Sequence, residues 1–190
     1  MENFIFQEKG HRYTLDGKPM TGVTTILGVL AKPALIPWAS KMGVEAVEQS
    51  GEVVDDVLTV KDWSKAKLEA IKAHARKKED AGSKGTDVHA LVESYIKLMI
   101  ADQGGKATEM NEPIDPMLKK FVDWAVSNNV RFLASEKRVY SKEWFVAGTF
   151  DFSFEKDGKR FIGDLKTMKR MWDRVPHAQT AAYRKMSVEM

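Results

Sequence analysis

Polar and apolar residues alternate most regularly in TFDFSFEKDGKRFI, residues 149–162, where single polar residues separate Phe150, Phe152 and Phe154. Period-two alternation predicts a half-buried strand. The Asp157-Gly158 pair that interrupts it predicts a two-residue type I′ turn, both of whose residues take positive φ. With that loop, Lys156 pairs with Lys159, Phe154 with Phe161, Phe152 with Gly163 and Asp151 with Asp164. Phe150, Phe152, Phe154, Phe161 and Leu165 then line one face, and Asp151, Asp164 and Lys166 the other. A second alternation, Phe4, Phe6, Tyr13 and Leu15 around Asp16-Gly17, predicts an N-terminal hairpin, with a short helix following from Thr24 or Thr25.

Helical spacing governs the stretch between. Pro33 and Pro37 punctuate the chain, and Pro37 suits the first turn of a helix carrying Trp38, Met42 and Val47. Residues 50–63, SGEVVDDVLTVKDW, read equally as loop or short strand. Trp63, Leu68 and Ile71 predict an amphipathic helix from Lys61 to about Lys78. A second, from Ala81 or Lys84 to Ile100, is apolar at Val88, Leu91, Val92, Tyr95, Ile96 and Met99. A third, Asp115 to Asn128, buries Leu118, Phe121, Val122 and Ala125. VRFLASEKRVYS (130–141) supplies a strand and VPHAQTAAYRKM (175–186) a final helix. Helices, then a short sheet, then a basic helix make an α+β order, not an alternating doubly wound one.

The chain has 190 residues, 43% hydrophobic and 30% charged, which suits a single domain with a substantial core. Residues 1–80 are read as a hairpin and helical part and residues 81–190 as the core. No apolar run approaches the ~20 residues that span a bilayer. The N-terminus lacks a basic and then apolar signal pattern, so a cytoplasmic setting and no membrane partner are expected. The absence of cysteine excludes disulfides, thiolate metal sites and iron–sulfur clusters. A net charge of +3 says little, but residues 164–185 hold six basic residues (Lys166, Lys169, Arg170, Arg174, Arg184, Lys185) against Asp164 and Asp173, a local +4.

Two directly opposed carboxylates repel each other, and a divalent cation between Asp151 and Asp164 removes the conflict. Carboxylate oxygens are what Mg²⁺ or Mn²⁺ prefers. The plainer alternative is a solvated hairpin face or a register slipped by one. His89 and Glu93, four apart on a helix, can address one site, and Gly82 and Gly85 before them admit a backbone or phosphate at the helix start. The plainer alternative there is a hydrogen-bonded surface pair. Gln179 and Tyr183 are also four apart, either facing the same site or lining the wet side of a terminal helix. Glu136 either faces the site or pairs with Lys137 or Arg138. Trp172 is either a stacking platform for a base or packing.

In order along the chain, GSKGTDVH (82–89), GTFD (148–151), DLK (164–166) and QTAAY (179–183) match Gly-x-x-Gly-Thr-x-x-His, Gly-Thr-x-Asp, Asp-x-Lys and Gln-x-x-x-Tyr. This series resembles the RecB-type branch of the PD-(D/E)XK nucleases over about residues 81–183. GVTTILGVLAKPALIPWA (22–39) is similar to the opening of phage-encoded members and of the mitochondrial genome-maintenance exonuclease. Asp-x-Lys alone carries little, whereas four motifs in sequence are specific. The cysteine-dependent iron–sulfur subgroups are excluded. The chain also ends at Met190, where relatives continue with a further strand, so a minimal or truncated core is expected.

The resemblance implies a restriction-endonuclease-like core of short mixed sheet flanked by helices. It implies a Mg²⁺- or Mn²⁺-dependent DNA nuclease, an exonuclease of phage-type DNA processing or recombination, with a recombination or replication protein as a further partner. Asp151, Asp164, His89 and the Leu165 carbonyl would hold the cation, with Glu93 and Glu136 accessory. Lys166 would act on the attacking water or the transition state, and Gln179 and Tyr183 would position it or a phosphate. Lys169, Arg170, Arg174 and His177 would hold the DNA backbone without reading sequence. The rival readings are a non-catalytic nucleic-acid-binding module on the same scaffold, a structure-specific endonuclease, and a structural or partner-binding protein.

Overall fold

The structure, a computed structural model, describes residues 3–30, 35–110, 114–167 and 174–190, the side chains of residues 35, 78 and 80–86 excepted. It is a mixed α+β protein whose chain divides into two compact units, residues 1–30 with 87–190, and residues 31–86. The larger unit begins with the antiparallel strands β1 (Phe4–Gln7), β2 (Arg12–Leu15) and β3 (Lys18–Gly22), followed by the short helix α1 (Val23–Leu27). Asp16 and Gly17 both take positive φ, 49° and 77°, and so turn β2 tightly into β3.

In the smaller unit, α2 (Leu35–Glu48) takes Pro37 near its start. The ambiguous stretch resolves as a hairpin, β4 (Gly51–Val54) with β5 (Val57–Val60), turned at Asp55-Asp56 with φ of 49° and 61°. Trp63, Leu68 and Ile71 do not form a buried stripe there, being 61%, 49% and 62% exposed, while Ala66 and Met42 are buried. So small a unit has little surface with which to cover them.

The two expected helices over residues 61–100 are one, α3 (Trp63–Asp102), and the boundary between the units falls within it. Each glycine inside a helix costs about 1 kcal/mol relative to alanine. Ala, Lys and Glu nearby favour the helix, which runs on through Gly82 and Gly85, so no helix start lies at these glycines.

The larger unit resumes with α4 (Pro116–Ser127). Its start is set by Asp115, whose carboxylate accepts from the N–H groups of Met117 and Leu118 at 2.7 and 3.2 Å, with Pro116 in the first turn. It ends on Asn129, at φ 49°, with Asn129 N–H bonded to Val126 O and Val130 N–H to Ala125 O. These are the paired bonds that close a helix on a left-handed residue.

Then come β6 (Arg131–Ser141), β7 (Val146–Lys156) and β8 (Lys159–Gly163). The predicted register holds for the five pairs from Lys156↔Lys159 to Phe152↔Gly163, with Asp157 and Gly158 at φ 50° and 69°. It stops one residue short of the expected Asp151–Asp164 pair, because β8 ends at Gly163. The final helix is α5 (Val175–Glu189).

β7 organises this unit. β6 runs antiparallel along one of its edges from Ser141↔Val146 to Arg131↔Glu155. On the other edge β3 runs parallel at Thr21↔Val146 and Gly22↔Ala147, and β8 antiparallel from Phe152 onward. Residues 148–151 lie between these two partners. Phe152 and Phe154, with Phe132, pack under Val92, Tyr95 and Ile96 of α3 and Phe121 and Val122 of α4. Val146 and Phe150, with Val139, pack under Tyr183 and Met186 of α5 and Val23 of α1. Tyr13, Leu15 and Met20 close over Ala147.

Gly148 makes the α5 contact possible. A Cβ there would stand 2.5 Å from Tyr183 Cε1 and 3.4 Å from Val23 Cγ2. Since Tyr183 is only 2% exposed, its ring cannot swing away freely. Gly148→Ala is therefore expected to destabilise the protein by about 1–3 kcal/mol in urea titration, the usual cost of overpacking. An unchanged midpoint would show that α5 yields without cost.

Candidate functional site

Asp151 occupies the stretch of β7 between its two edge partners, and the candidate residues gather around it. Its Oδ2 accepts a 2.5 Å hydrogen bond from the Leu165 N–H and lies 3.4 Å from His89 Nε2. His89 Nε2 is also 3.0 Å from the Leu165 carbonyl oxygen. One imidazole, one carboxylate and one carbonyl therefore converge where the chain leaves β8. His89 gets there because Val92, Tyr95 and Ile96, just beyond it on α3, are locked into the core. It does not pair with Glu93, which instead forms an ion pair with Lys97.

A pocket of about 10 Å³ lies beside this group, bounded by His89, Glu93, Glu136, Asp151 and Leu165. That is about the room one water needs. Glu136 reaches it from β6, where it takes φ 49°. Glu136 is open to solvent on its outer side, yet neighbouring atoms crowd its carboxyl. That loss of water raises its pKa, and the negative charges of Asp151 and Glu93 raise it further against the weaker pull of His89 and Lys97.

On the other side of Asp151 lies a cleft of about 140 Å³, shared with Asp164, Lys166, Gln179 and Tyr183. The Asp164 side chain is 4% exposed and its Oδ2 lies 2.5 Å from Lys166 Nζ. The ammonium pairs with this oxygen, and among the described residues Oδ2 has no further partner. Burial raises the Asp164 pKa, with Lys166 pulling it down and Asp151 pushing it up less strongly. Gln179 and Tyr183 face inward and not toward water: both are buried, and Gln179 Nε2 donates to the Tyr183 hydroxyl at 3.0 Å. Burial pushes the Tyr183 phenol up to about 12, so it stays protonated and remains a donor.

Two of the cleft's residues were not read from the sequence as site residues: Tyr13 lies on β2 and His11 in the turn before it, and the Tyr13 hydroxyl is 2.9 Å from both His11 Nε2 and Thr149 Oγ1. Nothing in the local pattern around Tyr13 distinguishes it from a core aromatic, and the contact joins residues 136 positions apart. Arg174 and His177 are exposed at the start of α5. Lys169, Arg170 and Trp172 lie outside the described residues. Of the basic residues counted along 164–185, Lys166 pairs with Asp164, and Lys185 with Glu143 and Glu189.

Among the described residues no three His, Asp or Glu side chains meet at coordinating distances. The donor set still fits a small divalent cation. His89 Nε2 contacts both Asp151 Oδ2 and the Leu165 carbonyl, Asp164 Oδ2 has no partner besides Lys166 among the described residues, and the charges of Asp151 and Glu93 act on Glu136 beside a water-sized space. Compared with known protein families, with curated proteins and with solved structures, the chain finds no match in any of the three. Among the described residues no helix is long and apolar enough to cross a membrane.

The raised pKa of Glu136 has a consequence for stability. A carboxyl whose folded pKa lies above its unfolded value binds more protons when folded, so stability falls as pH rises through that interval. The interval starts near the ordinary value of 4.5 and extends upward. In metal-free buffer, Glu136→Gln should remove this component of the decline, so its Tm gains on the wild type between pH 4.5 and 7. A constant Tm difference across that range would show that the Glu136 proton is not linked to folding.

Proposed function

We propose that this protein is a divalent-cation-dependent DNA nuclease with a restriction-endonuclease-like core, acting on ends in the manner of a phage-type exonuclease. The observation that carries the reading is the meeting of His89, Asp151 and the Leu165 carbonyl beside the Asp164–Lys166 pair. The order of the four motifs supports it. Mg²⁺ or Mn²⁺ would be held by His89, Asp151, Asp164 and the Leu165 carbonyl, with Glu93 and Glu136 as accessory carboxylates.

When bound, such a cation offsets phosphate charge and lowers the pKa of a coordinated water. The chain's own groups do the rest. Asp164 fixes the Lys166 ammonium at the cleft, where it can orient a water for attack or face negative charge building on phosphorus. The Tyr183 hydroxyl, held by Gln179 and protonated at any working pH, can donate to a phosphate oxygen. In the reaction a P–O bond forms to water and the P–O bond to the deoxyribose breaks, leaving a phosphomonoester and a hydroxyl. Arg174 and His177, exposed at the start of α5, would hold backbone phosphates without base reading.

End-labelled linear DNA and closed circular DNA, each incubated with Mn²⁺ or Mg²⁺, test this. Linear DNA should be degraded and the circle spared, with EDTA abolishing cleavage. Asp151→Asn, Asp164→Asn and Lys166→Ala should each lose at least a hundredfold in rate while remaining folded by circular dichroism. His89→Ala should weaken Mn²⁺ binding in calorimetry more than Mg²⁺ binding, because imidazole nitrogen favours the softer ion. Cutting of the circle makes the protein an endonuclease. DNA binding without any cleavage, unaffected by Asp151→Asn, makes it a binding module.

A further inference from the structure

The N-terminal strands bring to the cleft a group of side chains that the four motifs do not contain. Tyr13 is 2% exposed, and its hydroxyl links His11 on one side with Thr149 on the other, 2.9 Å from each. His11 stands exposed at the mouth of the cleft, in the left-handed region at φ 49°. A histidine with positive φ is uncommon enough to require a reason. Here the tight turn from Glu8, closed by the His11 N–H on the Glu8 carbonyl at 3.1 Å, directs the chain back toward Tyr13.

A cationic side chain joins it. Arg138 stands opposite Thr149 in the β6–β7 register, and its guanidinium lies 4.4 Å over the Phe6 ring. The same ring meets His11 edge-on at 4.9 Å. Phe6 thus holds both groups against one ring, beside Tyr13 and its partner Thr149, which line the cleft. Glu136, on the same strand as Arg138, is the carboxylate whose charge also reaches Tyr13.

One of the two directions open to the hydrogen-bond chain suits an anion. If Thr149 donates to Tyr13 and Tyr13 donates to His11 Nε2, the imidazole proton resides on Nδ1, and that N–H becomes a donor. Each link is then satisfied without a charged imidazole. The cleft, about 140 Å³, has room for a phosphate and its shell.

We propose that His11 and Arg138 form a second phosphate subsite, which holds a backbone phosphate of the nucleic-acid strand next to the one being cleaved. Tyr13 is its positioning residue, fixing the His11 ring from beneath. The subsite rests on the nuclease reading, and its test separates the two. The full chain is titrated in EDTA against a fluorescein-labelled single-stranded oligonucleotide at pH 8, with anisotropy as readout, over a range of salt concentrations.

Arg138→Ala should weaken binding at least threefold and reduce the slope of log affinity against log salt by about 0.7, the loss of one single-strand phosphate contact. His11→Ala should weaken binding at least threefold at every salt concentration. Tyr13→Phe, which keeps the ring and removes the link, should weaken binding in the same direction. In the cleavage assay His11→Ala should raise KM and leave kcat within twofold. Lys159→Ala, at the distant hairpin turn, is the control and should bind as wild type. Melting curves report folding, and because His11 and Arg138 are exposed their variants test the subsite even if Tyr13→Phe is unstable. Wild-type binding matched by both His11→Ala and Arg138→Ala overturns the subsite and leaves the nuclease reading standing. No binding and no cleavage by the wild type overturns both.

Discussion

A strand has two edges, and β7 shares one of them between two partners. β6 occupies the first edge along nearly the whole strand. The second passes from β3, at Val146 and Ala147, to β8, from Phe152 onward. The four residues between, Gly148 to Asp151, are where side chains from α3, α5, β6 and the N-terminal strands can approach. Backbone groups need partners wherever they are buried. Here the Leu165 N–H turns in to Asp151 just beyond the end of β8. The site is the fork in the sheet, and its residues are those that a fork can collect.

That arrangement concentrates like charge. Glu93, Glu136 and Asp151 act on one another across a space the size of a water molecule, and Asp164 is buried on the far side of Asp151. Lys166 offsets part of this, and His89 offsets some in both groups. Structural ion-pair networks usually balance their charges locally. Among the described residues the carboxylates here outnumber the cations that reach them, which is an arrangement suited to a ligand of positive charge.

Much of this was legible in the sequence, for local reasons. Asp157-Gly158 dictated the hairpin register to the residue, because a type I′ turn admits few alternatives. Asp115-Pro116 and Asn128-Asn129 marked both ends of α4. The facing of Asp151 and Asp164 was overdrawn: β8 ends first, and Asp164 turns to Lys166. Gly82 and Gly85 read as a helix start but lie inside α3, since propensity is a weak prior against strong helix formers on either side. Gln179 and Tyr183 have a polar spacing that local pattern assigns to water, and only the bare backbone at Gly148 lets α5 bury them. His11 and Tyr13 were beyond reach, because their partner Thr149 is brought to them by tertiary structure alone.

The parallel joint between β3 and β7 is short, two residue pairs linking positions 21–22 to 146–147, backed by Tyr13, Leu15 and Met20 over Ala147. The β6–β7–β8 meander, by contrast, is built of neighbours along the chain and can close early and quickly. Pairings so distant in sequence carry a loop-closure cost that delays them. On that ground the N-terminal strands are expected to dock after the meander has formed. The cleft is finished only when they arrive, so its completeness becomes a matter of kinetics, and a chain that is mostly folded can still lack a working wall.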